Sequence, residues 1–524
     1  MTLLPVVQEA LAPPGSNSER IDVLDVLRGF ALFGIFLMNI EFFNRPVATA
    51  DLGMAVGPEG VDWLAGWFVN YFVQGKFWTI FALLFGMGFA LMLRRAERTG
   101  EDFLAPYLRR ILALGVFGAA HYLLLWEGDI LLTYASGAVV LLLWRHARPG
   151  ALFNAVAVLV VLALLPELDS LAIVALGVAL AGFLGLFLRD DHYVTIGHWQ
   201  LPRFAFTLCV LALATTISAA LLWLLPDIAL SIQIGMAIAA IFLFILAGLA
   251  WVFHEPAALR ELRLGIAIYT ATCLALAAFG AVEYFSPATA TIERQERATA
   301  LSAHQPDAET ETRVMSKGRF LEVVAHHAKT LPLRLLSDVF SGIFTASVFL
   351  IGVWLVRAGI MENTAAHLTL FRKLAWFAWP AGVGLGLLGS LVAVSHTVGD
   401  NQDGFMMASG LHMLGNLPAC LGYMGMVVLM LHSTTVQRHI RVLAAPGRMA
   451  LTNYLAQSLI CALTFYGYGL GLWGMPRAQQ LMFVIAVFTL QVIASHWWLS
   501  TFRVGPIEWF WRAFTYRQLP AMRL

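Results

Sequence analysis

Along this chain the apolar residues come in long unbroken runs, separated by short polar turns. Phe30 through Ile40 is apolar except for Asn39. Runs of the same kind recur along the rest of the chain. A helix needs roughly 20 mostly apolar residues to cross a bilayer. By that measure about fourteen candidate spans begin near residues 21, 66, 107, 129, 151, 170, 204, 231, 263, 334, 372, 404, 448 and 479. The stretch from 151 to 188 is ambiguous, because Pro166-Glu-Leu-Asp169-Ser170 interrupts it. It reads either as two short helices or as a span and a half. The fold class is therefore all-α: a polytopic integral membrane helical bundle of about 12–14 transmembrane helices.

Composition agrees. Sixty per cent of residues are hydrophobic, 12% are charged and the mean hydropathy is +0.76. A soluble domain carries roughly 25% charge, so lipid bilayer is the solvent for most of this chain. A net charge of +1 and the absence of a basic arm give no sign of nucleic acid as a partner. Sixteen Trp and 36 Phe suit helices with aromatic interfacial belts. The four cysteines, Cys209, Cys273, Cys420 and Cys461, lie singly inside apolar runs with no ligand spacing, so they read as packing residues and no metal site is expected. Residues 1–19 contain no Lys or Arg and no small-residue cleavage site, and they read as a polar tail before an uncleaved first span.

Lys/Arg asymmetry orients the bundle. Arg94, Arg95, Arg98, Arg109 and Arg110, then Arg145 and Arg148, Arg260 and Arg263, Arg357, Arg372 and Lys373, and finally Arg438, Arg441 and Arg448 fall on one side if the count is even. Both termini are then cytoplasmic, and the expected location is the bacterial cytoplasmic (inner) membrane, multi-pass. The sequence divides into a tail (1–19), an N-terminal bundle (20–148), a further transmembrane segment that could be an insertion (149–285), an extracytoplasmic loop (286–333), a C-terminal bundle (334–502) and a cytoplasmic amphipathic tail (503–524). Within the loop, Gly318 to His327 has helical apolar spacing and predicts an interfacial helix.

Several polar groups are expensive where they stand. Asp22, Asp25 and Arg28 share one helix face at the mouth of span one, with Gly29 next to them, and either form a headgroup-level salt bridge or anchor a network across helices. His121 ends span three, with Glu127 and Asp129 in the tight turn that follows. An imidazole beside a carboxylate is what a general base needs; the plainer alternative is a His bonded to a backbone carbonyl and an Asp capping the next helix. His412 and Asn416 lie one turn apart in a glycine-rich span, an arrangement suited to an interhelical hydrogen bond and short of the ligands zinc needs. Arg448, Asn453 and Gln457 string polar groups along span thirteen, where they could hold an anion or bond a neighbouring helix. Lys76 sits within an apolar stretch and is expected to snorkel outward.

The motifs RIDVLDVLRGFALFGIFLMNI, GKFWTIFALLFGMG, HYLLLWEGDILLTYA, PGRMALTNYLAQS and GPIEWFWR, in that order, resemble the YeiB-like bacterial membrane proteins, whose domain of unknown function carries the number 418. The likeness touches residues 20 to 145 and about 315 to 515. The opening Asp-x-x-Arg-Gly is also similar to that of membrane acyltransferases of the heparan glucosaminide acetyltransferase type. What that resemblance implies is transfer of an acyl group from a cytoplasmic thioester to an extracytoplasmic sugar or lipid-linked acceptor. Acyl-CoA would be a co-substrate rather than a tightly bound cofactor, and a homo-oligomer is compatible with the pattern. Asp25 and Arg28 match the shared start, and Asn39 matches a polar residue at the outer end of the first span. No His follows Asn39 in residues 41–65, where the acetyltransferase pattern would have one. His121 is the substitute base, oriented by Asp129 or Glu127, with Asn39 polarising the carbonyl and Arg28 and Arg448 holding the donor. A transporter or flippase, or a scaffold, are the competing classes. No inverted repeat of the kind transporters show is evident.

Overall fold

The computed structural model describes residues 22–55, 57–146, 148–223, 230–285, 307–396 and 403–524. The expected polar tail, Arg20 and the 286–306 part of the outer loop lie outside these. Long apolar runs become helices because in lipid the backbone must satisfy its own hydrogen bonds. In chain order these are α1 (Asp22–Asn39), α2 (Gly60–Phe68), α3 (Lys76–Thr99), α4 (Leu104–Leu124), α5 (Leu131–His146), α6 (Pro149–Ala163) and α7 (Leu171–Arg189). A small hairpin, β1 (Tyr193–Ile196) with β2 (Trp199–Pro202), precedes α8 (Arg203–Trp223), α9 (Leu230–His254) and α10 (Arg260–Phe285). Then come α11 (307–317), α12 (Phe320–Arg357), α13 (Leu368–Lys373), α14 (Trp379–Val392) and α15 (Phe405–Leu431). The short α16 (Gln437–Ile440) and α17 (Ala444–Arg448) lead into α18 (Ala450–Phe465), α19 (Arg477–Leu499) and α20 (Pro506–Tyr516).

The chain is a polytopic helical membrane protein. Among the described residues nine helical segments are long and apolar enough to cross a bilayer, and four shorter apolar helices accompany them. The ambiguous 151–188 stretch resolves into two helices, α6 and α7. One boundary differs from expectation. The stretch assigned to loop and interfacial helix before residue 334 is, from Phe320 on, already the first part of α12, which runs unbroken for 38 residues to Arg357 with Pro332 inside it. Its apolar spacing continues across the proline, so packing carries the helix through the one backbone donor that Pro332 lacks.

Span two is interrupted. A π-helical segment, Val69–Val73, leads to Gly75, whose φ of +81° favours a residue without a Cβ, and α3 begins immediately after it. A second π-helical segment, Leu374–Ala378, joins α13 to α14.

Two ends of the bundle can be told apart by α1. At its start, Gly447 in α17 lies on the carbonyl of Asp25, and Gly29 lies on the carbonyl of Leu443, so the two backbones meet with no room for a Cβ on either side. Here too the side chain of Trp511 in α20 donates to the carbonyl of Arg110 near the beginning of α4. Arg145 pairs with Glu97 at 3.1 Å, and Arg94 with Glu362, tying helix ends that carry the basic turns. At the finish of α1, Trp126 from the α4–α5 turn donates to the carbonyl of Phe42, and Arg477 from the start of α19 reaches the carbonyl of Leu37.

Candidate functional site

At the finishing end of α1, α4 closes on His121 and the chain turns tightly into α5. The turn is built by one carboxylate with two duties. Asp129 Oδ2 accepts from the backbone N–H of Leu132 at 2.7 Å and so caps α5, while Oδ1 lies 2.7 Å from His121 Nδ1. Both side chains are fully buried. Of the plainer reading only the cap is present: Asp129 caps α5 and also bonds His121, whose ring makes no bond to a backbone carbonyl among the described residues. Because a carboxylate only accepts, Nδ1 carries a proton, and in the neutral ring Nε2 presents a lone pair. Nε2 is buried and has no hydrogen-bond partner among the described residues. The ring stands 5.1 Å from that of Tyr454 and at right angles to Trp126.

Glu127 does not orient His121. It turns instead toward Glu311 of α11, accepts from Thr330 at 3.3 Å, and is raised above the usual carboxylate range by burial and then by the nearby Glu311 charge. Asn39 closes α1, buried at this same end, but makes no hydrogen bond to His121 or Asp129 among the described residues. Sequence reasoning missed the brace behind the turn. Arg334 of α12 donates to the Asp129 carbonyl at 2.8 Å and to Thr133 at 2.7 Å, and pairs with Asp338 at 3.3 Å. Their i, i+4 spacing, Arg334 to Asp338, was the signal available in the sequence.

A cavity of about 330 Å³ opens at this end between α2, the start of α19 and the chain after α1. Its walls include Asn44, Asp62, Trp63 and the carboxylate of Glu41, which holds Arg45 at 2.9 Å and Arg477 at 3.2 Å. Phe42 lines this cavity and gives its carbonyl to Trp126 of the His121 turn.

The starting end of α1 holds the second group of candidates. Arg28 pairs with Asp25 at 2.8 Å, Asp25 being buried, whereas Asp22 is exposed at the helix start. Arg448 follows the Gly447 contact and donates to the carbonyl of Arg503 at 3.0 Å, so Arg28 and Arg448 flank one junction. Asn453 and Gln457 point elsewhere. Their amides bond Ser495 at 3.0 Å and Gln491 at 2.9 Å, both on α19, and Gln491 returns a bond to the Asn453 carbonyl. These two give interhelical bonds, of the kind worth about 1 kcal/mol each in membranes. The GPIEWFWR motif is explained here as well. Glu508 accepts from the N–H groups of Leu451 and Thr452, capping α18 from outside, and Trp511 lies 4.4 Å from the Arg110 guanidinium.

Lys76 does not snorkel. It is fully buried, with Nζ 3.2 Å from Nε2 of His412, beneath the Gly75 turn that packs on Asn416. The break at Gly75 turns the first residue of α3 inward, where the apolar pattern alone had placed it at the lipid surface. Since a buried lysine amine is costly to desolvate and His412 is the group it bonds, Lys76→Met should melt at or above the wild type. His412→Ala should lose about 2–3 kcal/mol by leaving the lysine unpaired. Thermal melts of the detergent-purified variants check the order, and the reverse order would reject this assignment.

Residues 355–518 match the family described as "Protein of unknown function (DUF418)". The chain is 27% identical over 515 residues to "Uncharacterized protein YxaH" of Bacillus subtilis (strain 168), covering 96% of each chain. It is 26% identical over 503 residues to "Uncharacterized protein YeiB" of Escherichia coli (strain K12), covering 95% of this chain and 97% of that one. A shorter match, 42% identical over 129 residues, covers 25% of this chain and 35% of an uncharacterised 39.9 kDa protein from the amylase 3′ region of Bacillus acidopullulyticus. No solved structure matches. The chain is thus similar to YxaH and YeiB along nearly its whole length and carries a DUF418 match in its C-terminal part.

Proposed function

We propose that this protein is an acyltransferase of the cytoplasmic (inner) membrane, moving an acyl group from a cytoplasmic thioester donor to an extracytoplasmic hydroxyl or amine of a sugar or lipid-linked acceptor. The observation that carries the reading is the buried His121–Asp129 pair at 2.7 Å with its Nε2 lone pair unspent. In that pair the carboxylate fixes the tautomer and stabilises the imidazolium, which is the arrangement of a general base. His121 Nε2 takes the proton of the acceptor hydroxyl or amine as its oxygen or nitrogen attacks the thioester carbonyl. The carbon–sulfur bond then breaks, and the thiol leaves with that proton. Arg28 and Arg448 at the α1–α17 junction suit the anionic head of an acyl-CoA, and the walled cavity beside Trp63 suits a polar acceptor. Asp25 and Asn39 are about 14 residues apart, or roughly 20 Å along α1, so the reading requires the thioester arm to reach along that helix.

A transporter or flippase is the second reading, favoured by the helix interrupted after Val69–Val73 at Gly75, since broken helices line many transport paths. Thermal stabilisation of the purified protein against acyl-CoAs, free CoA and lipid-linked sugars separates the two. Saturable stabilisation by a CoA thioester, lost in Arg28→Ala or Arg448→Ala, is expected. No shift at about 100 times a plausible Kd, where linkage would supply about 2.7 kcal/mol, would reject the transferase in favour of transport.

A further inference from the structure

We propose that Glu127, Glu311 and His326 bind a divalent first-row metal cation, of the Zn²⁺ or Mn²⁺ kind, at the finishing end of α1. One ligand atom from each of these three side chains lies within 4.8 Å of the others. They come from three separate places in the chain: the α4–α5 turn, α11 and the first turns of α12. Two carboxylate oxygens and one imidazole nitrogen form a mixed donor set that suits Zn²⁺ or Mn²⁺ better than the all-oxygen shells of Ca²⁺ or Mg²⁺. Metal–ligand bonds of about 2.0–2.2 Å put neighbouring ligand atoms some 3.4 Å apart in a tetrahedron, so rotamer adjustments of about 1 Å would close the shell.

Two further observations favour a cation here. Glu127 and Glu311 are both buried, and a cation held between them would offset part of the cost of two neighbouring buried carboxylates. Around them the second layer is built as metal sites require. Thr330 holds Glu127 Oε2 at 3.3 Å and is itself held by the Tyr122 hydroxyl at 2.8 Å, while the backbone N–H of Val47 holds Glu311 Oε1 at 2.6 Å.

A metal here would pin α11 and the start of α12 to the α4–α5 turn, whether or not the protein transfers acyl groups, so the inference goes beyond the transferase reading. The test uses the full chain in detergent, stripped with a chelator, dialysed, and titrated with Zn²⁺, Mn²⁺, Ca²⁺ or Mg²⁺. Elemental analysis after desalting and the thermal melt are the readouts. The expected result is one Zn²⁺ or Mn²⁺ per chain with saturable stabilisation, reduced at least tenfold in apparent affinity by His326→Ala and by Glu311→Gln. His326 is half-buried, so its alanine variant should fold, and glutamine at 311 retains an oxygen for the Val47 N–H. Cobalt(II) gives a second readout, because visible d–d absorption that appears in the wild type should be absent from both variants. No ion retained, or equal retention and stabilisation in the wild type and both variants, would overturn the proposal.

Discussion

His121→Ala should lower acyl transfer by about 10³-fold, the scale of a removed general base. Its stability should fall by about 2–3 kcal/mol because buried Asp129 Oδ1 loses its partner, while stabilisation by the donor stays close to the wild type. The donor junction is at the other end of α1, so binding and proton transfer are separable. Asp129→Asn is the sharper experiment. An asparagine has one oxygen where Asp129 uses two, and the N–H of Leu132 claims it as the cap of α5. The amide NH₂ then faces His121 Nδ1 and donates to it, which moves the imidazole proton to Nε2. That tautomer cannot accept a proton from the acceptor, so turnover should fall by about 10²–10⁴-fold although the helix cap survives. Reconstituted vesicles with labelled acyl donor inside and acceptor outside give the measurement. Unchanged turnover in His121→Ala would remove His121 from the chemistry, whatever the protein binds.

How much of this could be read from the residues varies with the physics that decides each feature. The helices were legible because lipid forces each apolar run to satisfy its own backbone, and the 22–39, 104–124 and 477–499 helices begin within a few residues of the apolar pattern's own start. His121 and Asp129 were legible because a turn of a few residues leaves them little freedom to separate. Glu311 and His326 were not. They meet Glu127 across roughly 180 to 200 positions of chain, and no local period records which outer segment folds over which turn. Nor was the inward turn of Lys76, which depends on a left-handed glycine and on where α15 lies. Asn453 and Gln457 show the opposite failure. Their spacing correctly put both on one helix face, but a polar face looks the same in sequence whether it meets a ligand or another helix, and here it meets Gln491 and Ser495.

Gly447→Val should be among the most destabilising single substitutions in the chain, costing about 3 kcal/mol, the upper part of the range for forced overpacking. A Cβ at Gly447 would fall on the carbonyl oxygen of Asp25, and one at Gly29 on that of Leu443. Both obstacles are backbone, so no rotamer change relieves them; α1 and α17 must move apart as rigid pieces. That motion would also carry Arg28 away from Arg448. Gly29→Val should cause a comparable loss, and the double variant should cost clearly less than the two losses added, because one separation of the helices relieves both clashes. Melts in detergent with size-exclusion profiles measure the stability, and donor-dependent stabilisation of the surviving fraction measures the junction. If either variant melted as the wild type does, the backbone contact between α1 and α17 would be wrong. If both lost stability but kept full donor response, the contact would stand and the donor site would have to lie away from the junction, with Arg110 beside Trp511 the next group to substitute.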